Sequence, residues 1–285
     1  MSAPSQAATI VIPLLRQPDD WLKQCVCSAL AQTEAAEVIV VQSARTPPSN
    51  RLLLEEIRAE SPSLVVVEEE KPSFPGALNQ GIRLARAQRI GFLLADDWLE
   101  STAVEACLAH NADIVSTGLT AYDGDGVTRL PEISRAPKQE EFERRTTLQS
   151  KAQFLSHFFL FQKSKLVEVG LLDESVGDFP GIDDYHLIWS LLEAGATVRT
   201  VEMPLYNKRE HRGERLTLES SRQARANLSL ILDQHGVRGR RKRRLLHEHS
   251  RWFGHSTQDV YRMLQESRLT RLRRLLDRFV YGPPE

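Results

Sequence analysis

The stretch RIGFLLADD, residues 89–97, reads as a short buried strand that runs directly into two adjacent carboxylates, Asp96 and Asp97. A brief apolar run closed by polar residues is the pattern of a strand covered on both faces. Three similar runs precede it. Thr9-Ile-Val-Ile12 ends at Pro13, Glu37-Val-Ile-Val-Val41 follows, and then Leu64-Val-Val-Val67. Helical patterns separate them. Residues 19–31 carry Asp19 and Asp20 near the start, residues 50–60 are charged and amphipathic, and residues 75–87 have Pro75 in the first turn. Strands alternating with helices imply right-handed crossovers, so the expected fold is α/β, with a mainly parallel central sheet flanked by helices. Ligands of such sheets bind beyond the carboxyl ends of the strands. A ligand is therefore expected near the residues that follow Ile12, Val41 and Leu94.

Beyond residue 100 the pattern is mixed. A helix is expected over 101–110, a strand over 112–118, a turn at Tyr122-Asp-Gly-Asp-Gly126 and a polar, irregular loop over 127–150. His157 to Phe161 reads as a short apolar strand, Asp183-Asp184 opens a helix to about 194, and Thr197 to Val201 is the last strand. The remainder, from 216, reads as helices. Three segments result: residues 1–100 and 101–217 as the two halves of one domain, and 218–285 as a helical basic C-terminal extension.

The acidic pairs have two readings each. Adjacent carboxylates at a strand end suit a hard divalent cation, because Mg²⁺ and Mn²⁺ take oxygen ligands and leave positions for substrate phosphates. They also suit a turn and helix N-cap. Asp183 and Asp184 fit the positive end of a helix dipole, or a general base that takes a proton from an acceptor hydroxyl. His211 follows the last strand in a basic, polar loop, where it reaches either solvent or a metal and phosphate.

Composition sets outer limits. Hydrophobic residues are 41% and charged residues 26% of 285, ordinary values for a water-facing globular chain. No apolar run approaches the roughly 20 residues that span a bilayer, and the N-terminus does not read as a signal peptide. Cys25, Cys27 and Cys107 make no disulfide framework and read as reduced, structural residues of a cytoplasmic protein. The net charge of −1 hides an asymmetry: from Gly236 onward 13 Lys and Arg stand against 5 Asp and Glu, a balance of +8, so the preceding residues carry −9. Gly236-Val-Arg-Gly-Arg-Arg-Lys-Arg-Arg244 concentrates six of those cations. Beyond it Tyr261, Leu264, Leu272, Leu276 and Phe279 recur at mostly helical spacing among arginines, as in a helix lying on an anionic membrane. Packing on the body, or pairing of two subunits, is the competing use of these helices. Nucleic acid is not expected as a partner, because the acidic body repels a phosphate backbone.

The order of the pieces resembles family 2 of the glycosyltransferases, with the GT-A fold. The resemblance is carried by Ile10-Val-Ile-Pro13, Ser28-Ala-Leu-Ala-Gln32-Thr33, Glu37-Val-Ile-Val-Val41, Ala77-Leu-Asn79-Gln-Gly81-Ile82 and Leu94-Ala-Asp96-Asp97. It continues through Leu171-Leu-Asp173-Glu174, Asp183-Asp184-Tyr185-His186-Leu187 and Pro204-Leu-Tyr206-Asn-Lys-Arg209-Glu-His211, so it spans about 8–217. The chain departs from the family pattern at Gln42, where an aspartate is usual, and at Leu94, the first position of Asp-x-Asp. It departs again at Leu78 and at Leu14-Leu15-Arg16.

The resemblance implies an inverting transferase that takes a sugar from a nucleotide-sugar, UDP-linked by expectation, to a hydroxyl acceptor. It implies Mn²⁺ or Mg²⁺ at Asp96 with His211 as second ligand, Asp97 at the donor sugar or metal shell, and Asp184 as base with Asp183 beside it. Pro13, Leu14, Gln42, Ser43 and Asn79 are expected to contact the donor. At Gln42 an amide oxygen accepts from a uracil N–H, whereas the amide NH₂ donates to another base; the sequence leaves both open. A catalytically inactive binding or scaffold protein of the same fold is the alternative. A nucleotidyltransferase is the lesser one, since Leu14-Leu-Arg-Gln-Pro18 is not a glycine-rich basic loop.

Overall fold

The computed structural model describes residues 6–131, 133–176, 183–211 and 221–250. Strand β1 (Ala8–Leu14) is the centre from which the rest is laid out. It pairs in parallel with β2 (Ala36–Gln42) on one side and β4 (Arg89–Phe92) on the other, and β2 pairs in parallel with β3 (Leu64–Glu68). The chain thus adds strands to one side of β1 and then crosses to the other, which opens a crevice at the carboxyl ends of β1 and β4.

The second half completes the same sheet. Strands β5 (Trp98–Leu99), β6 (Ile114–Asp123), β7 (Phe159–Gln162) and β8 (Val198–Glu210) give the order β3-β2-β1-β4-β7-β6-β8-β5. β7 runs antiparallel to both β4 and β6, β8 runs parallel to β6, and β5 runs antiparallel to β8. The sheet is parallel through β4 and mixed beyond it. No sheet boundary falls at residue 100.

Alternation along the strands divides the core into two. Ile10, Ile12, Val38 and Val40 face helices α1 (Asp19–Leu30), α2 (Pro48–Glu60) and α4 (Ala103–Leu108), with Leu22, Val26, Leu54 and Val104 packed against them. Val11, Ile39 and Val41 face α3 (Phe74–Leu84) and the later helices. Gly81 lets α3 cross β1 closely, because a Cβ there would overlap the Val11 methyl groups. The three cysteines are unbonded; Cys25 and Cys107 are buried in the first core, and burial pushes the Cys107 thiol up to about 12.

Two expectations differ from what is found. The segment 127–150 holds helix α5 (Gln139–Glu143) and the start of α6 (Leu148–Phe154), each contributing a buried apolar residue, Phe142 and Ala152. Helices this short are below the window in which a helical period is legible. The last strand runs to Glu210 rather than Val201. Its register against β6 shifts between Ser116 and Gly118, opposite Pro204, a residue that sheets tolerate at such irregularities.

Helix α7 (Lys163–Glu168) follows β7, and α8 (Asp183–Glu193) lies against α6. Helices α9 (Ser221–Gln234) and α10 (Gly239–Ser250) carry Leu228, Ile231, Leu232 and Leu245, and the turn between them Val237, into the same core as Leu187 and Leu191 of α8. This part of the extension packs on the body, while Arg240, Arg241 and Arg243 remain exposed. The amphipathic pattern at 261–279 lies outside the described residues. No helix among those described is long and apolar enough to cross a membrane.

Candidate active site

The carboxyl end of β4 turns at Leu94, whose carbonyl accepts from the Asp97 N–H at 3.0 Å, and this turn presents Asp96 and Asp97 in different surroundings. Asp97 is 2% exposed. Tyr206 Oη donates to its Oδ2 at 2.5 Å and the Arg209 backbone N–H to its Oδ1 at 2.7 Å. Burial, then the adjacent Asp96, push the Asp97 carboxyl up to about 8 against the pull of those two bonds. Asp97 therefore ties the β4 turn to β8 from within.

Asp96 meets His211, with Nε2 and Oδ2 3.0 Å apart and both side chains mostly buried. The imidazole packs against Trp21 at 4.8 Å between centroids. Arg209 braces this corner. Its guanidinium donates to the carbonyls of Asp96 and Gly124 and to Gln24 Oε1, and it lies over the rings of Trp21 and Trp98 at 4.6 and 5.0 Å. An imidazole nitrogen and a carboxylate oxygen at this spacing fit a Mn²⁺ or Mg²⁺ ion that takes its other ligands from substrate phosphates and water. Among the described residues no group of three or more His, Cys, Asp or Glu is placed to hold a metal alone, and Asp96 and His211 are the two donors they bring together at this corner.

Asp184 sits in the first turn of α8 with 31% of its side chain exposed. Oδ2 lies 3.2 Å from His157 Nε2, and Oδ1 accepts from the Tyr185 N–H at 2.8 Å. Burial raises this carboxyl's pKa, but the His157 hydrogen bond and charge, with backbone N–H groups, outweigh it and hold it below the usual carboxylate range. The His157 ring packs on Tyr206 at 5.3 Å. One line of contacts, Asp184–His157–Tyr206–Asp97, thus joins α8 to the strand end that carries Asp96 and His211. The side chain of Asp183 lies outside the described residues.

The expected donor contacts divide. Pro13 is half-buried at the end of β1, whereas the Leu14 side chain lies in the first core and its carbonyl accepts from Ser43 N–H and Thr46 Oγ1. Gln42 and Ser43 end β2, held by Glu68 and Glu69. Asn79 is spent on structure: its amide bonds the Leu172 N–H and carbonyl and Glu174 Oε1, pinning α3 to the 171–174 loop. His157, Tyr206, Arg209 and Trp21 had no assigned role in the sequence. The one legible signal was spacing, since Arg209 and His211, two apart along an extended chain, share a face.

A family model described as Glycosyl transferase family 2 matches residues 9–171. The chain belongs to glycosyl transferase family 2. Among curated relatives, the O-antigen biosynthesis protein RfbC of Myxococcus xanthus is 28% identical to this family 2 chain over 205 residues, 71% of the chain and 16% of that protein. The uncharacterized glycosyltransferase EpsJ of Bacillus subtilis is 22% identical over 212 residues, 71% of this chain and 61% of its own length. The chain therefore spans less than two thirds of either relative. Among solved structures, S. aureus TarS 1-349 in complex with UDP-GlcNAc has a TM-score of 0.59 at 16% identity, over 80% of this chain and 66% of that one. The mannosyltransferase PcManGT from Pyrobaculum calidifontis, in complex with GDP-Man and Mn²⁺, has a TM-score of 0.61 at 16% identity, over 98% and 76%. At these identities the likeness is one of fold, and it agrees with the GT-A arrangement of a mixed sheet flanked by helices.

Proposed function

We propose that this family 2 chain transfers a sugar from a UDP-sugar to a hydroxyl acceptor with inversion at the anomeric carbon. The observation that carries the reading is the contact line that sets an ionisable carboxylate, Asp184, across from the Asp96–His211 corner. Two tasks need two such places. The acceptor oxygen must lose a proton as it bonds to the anomeric carbon, and Asp184, kept ionised by His157, takes that proton. The bond from the anomeric carbon to the phosphate oxygen breaks on the opposite face, and UDP leaves with the electron pair. Asp96 and His211 would hold Mn²⁺ or Mg²⁺, which supplies Lewis-acid neutralisation of the departing diphosphate. Asp97 fixes the turn that aims Asp96, Asp183 adjoins the base, and Pro13, Gln42 and Ser43 border the nucleoside. Leu14 and Asn79 support the pocket from behind.

The exposed arginines of α10 support a peripheral contact of a cytoplasmic enzyme with an anionic membrane face, and each basic side chain near such a surface contributes about 1 kcal/mol. Pairing of two chains through the C-terminal helices is the other use they allow.

The test is thermal-shift screening against UDP, GDP, CDP and dTDP with and without Mn²⁺, followed by UDP-sugar hydrolysis. Ligands that bind the folded state raise its stability. A shift by UDP with Mn²⁺, together with hydrolysis, is expected. Binding without any turnover would make the chain an inactive member of the fold, and no nucleotide shift at all would refute the donor reading.

A further inference from the structure

Asp184 and His186 stand two apart in the first turn of α8, so they point to opposite sides of that helix. Asp184 meets His157. His186 meets the C-terminal extension: its Nδ1 lies 2.9 Å from Nε2 of His235, the residue that follows α9. The His235 ring stacks flat on Trp189 of α8 at 4.0 Å, and its Nδ1 lies 2.9 Å from Glu193 Oε2. The residue before it, Gln234, donates to Asp173 Oδ2 at 2.8 Å, and that oxygen lies 3.8 Å from His186 Nε2. Both imidazoles are nearly enclosed, with 14% of His186 and 3% of His235 exposed. A row of four side chains, Asp173–His186–His235–Glu193, thus ties the extension to the helix whose other side carries Asp184.

The chemistry of the row fixes its protons. A carboxylate only accepts, so His235 Nδ1–H points to Glu193 and His235 Nε2 is left as an acceptor. His186 Nδ1 must then donate to it, and His186 Nε2 stands bare toward Asp173. Burial first, then His235, hold the His186 imidazole below its usual pKa against the pull of Asp173 and Glu193. The other charged groups described on the surrounding elements have partners of their own. Asp184 is on His157, Glu174 on Lys71 and Asn79, and Asp233 of α9 on Arg238 and Lys242, while Arg241 of α10 lies near Tyr185. One added proton goes to His186 Nε2, where it faces Asp173 and leaves the link whole. A second, on His235 Nε2, sets two N–H groups head to head and breaks it.

We propose that His235 and His186 are positioning residues through which the C-terminal extension holds the first turn of α8, and with it Asp184, in place for proton transfer. The hold is released when both imidazoles are protonated. This rests on Asp184 as the base and adds the extension to the parts that the reaction needs.

UDP-sugar hydrolysis by the full chain across pH tests the idea, with hydrogen exchange at Leu187 and Ile188, whose N–H groups close the first turn of α8. His235→Phe keeps a ring on Trp189 and loses both nitrogens. At about pH 8 it is expected to lower kcat about tenfold and to speed exchange at both amides by a similar factor, with UDP affinity unchanged. Wild-type kcat should fall by a like factor below about pH 6, where imidazoles titrate, and the variant should lack that step. In His235→Gln the amide donates to Glu193 and accepts from His186 without titrating, so it should restore the rate and also lack the step. A merely structural role would lower kcat and UDP binding together and leave the shape of the pH profile as in the wild type, which overturns the inference. Wild-type kcat in His235→Phe, with or without faster exchange, also overturns it and spares the base. Turnover retained by Asp184→Asn refutes the base and this inference together, as does a wild type with no turnover.

Discussion

Replacing His157 by Phe isolates what the imidazole does for Asp184. The ring packs on Tyr206 and Phe159 at 5.3 and 5.0 Å, contacts a phenyl ring keeps, so the variant loses chiefly the nitrogen facing Asp184 Oδ2. Burial alone would raise the Asp184 pKa, and the His157 hydrogen bond and charge oppose it. Without it the backbone N–H bonds oppose burial alone, and the carboxyl takes up its proton at higher pH. A base works only when deprotonated, so the acidic limb of the pH–rate profile moves to higher pH. A hydrogen bond to a charged group contributes about 1.5–3 kcal/mol. In mildly acidic buffer that corresponds to a loss of roughly 10- to 150-fold, shrinking as pH rises. Stability follows the same sign. A folded-state pKa held low stabilises the protein above the unfolded value, and the gain is lost as pH falls through the folded value. The wild type should therefore exceed the variant at neutral pH, with the difference fading in acid. UDP-sugar turnover across pH, with urea denaturation at the same pH values, gives both readouts. Superimposable pH–rate profiles for the two proteins would refute the role given to His157.

The remaining expectations concern single features. Asp184→Asn should lower kcat by roughly 10²- to 10⁴-fold while UDP affinity is unchanged, since the amide oxygen still accepts from the Tyr185 N–H; a variant within a few fold of wild type would move the base elsewhere. His211→Ala should abolish the difference in UDP affinity between Mn²⁺ and EDTA, and equal affinity in both conditions for the wild type would remove the metal from this corner. Gly81→Ala should cost about 1–3 kcal/mol in urea denaturation, because its methyl meets Val11, and an unchanged midpoint would mean that α3 shifts freely over β1. Reversing Arg240, Arg241 and Arg243 to Glu should abolish co-sedimentation with anionic vesicles at low salt; if the wild type itself stays in the supernatant, the membrane contact is wrong.

Strand–helix alternation through residue 92 was legible because each strand lies in a short apolar run, β-branched in β1 to β3, and each helix carries a period, and both are local properties. The placement of Asp96, Asp97 and His211 beyond strand ends was legible for the same reason. Most elements of the second half were legible too, but the order and direction in which its strands pair were not. β7 and the far part of β8 owe their places to pairing with strands distant in sequence, and Pro204 hid the continuation of β8 by acting where the register shifts. The resemblance placed Asn79 at the donor, and only the structure shows its amide bonded to the 171–174 loop. It gave His157 no role, because its partner Asp184 is brought to it only when α8 closes on the sheet. The orientation of the Gln42 amide shows the division most sharply. Sequence places a side chain able to donate or accept at the end of β2, and the choice belongs to Glu68 and Arg51, residues of β3 and α2. Sequence by itself determined which groups reach the edge of the sheet. Tertiary structure decided which protonation state, and which hydrogen-bonding face, each of them presents, because those depend on the burial and charge of neighbours that only folding assembles.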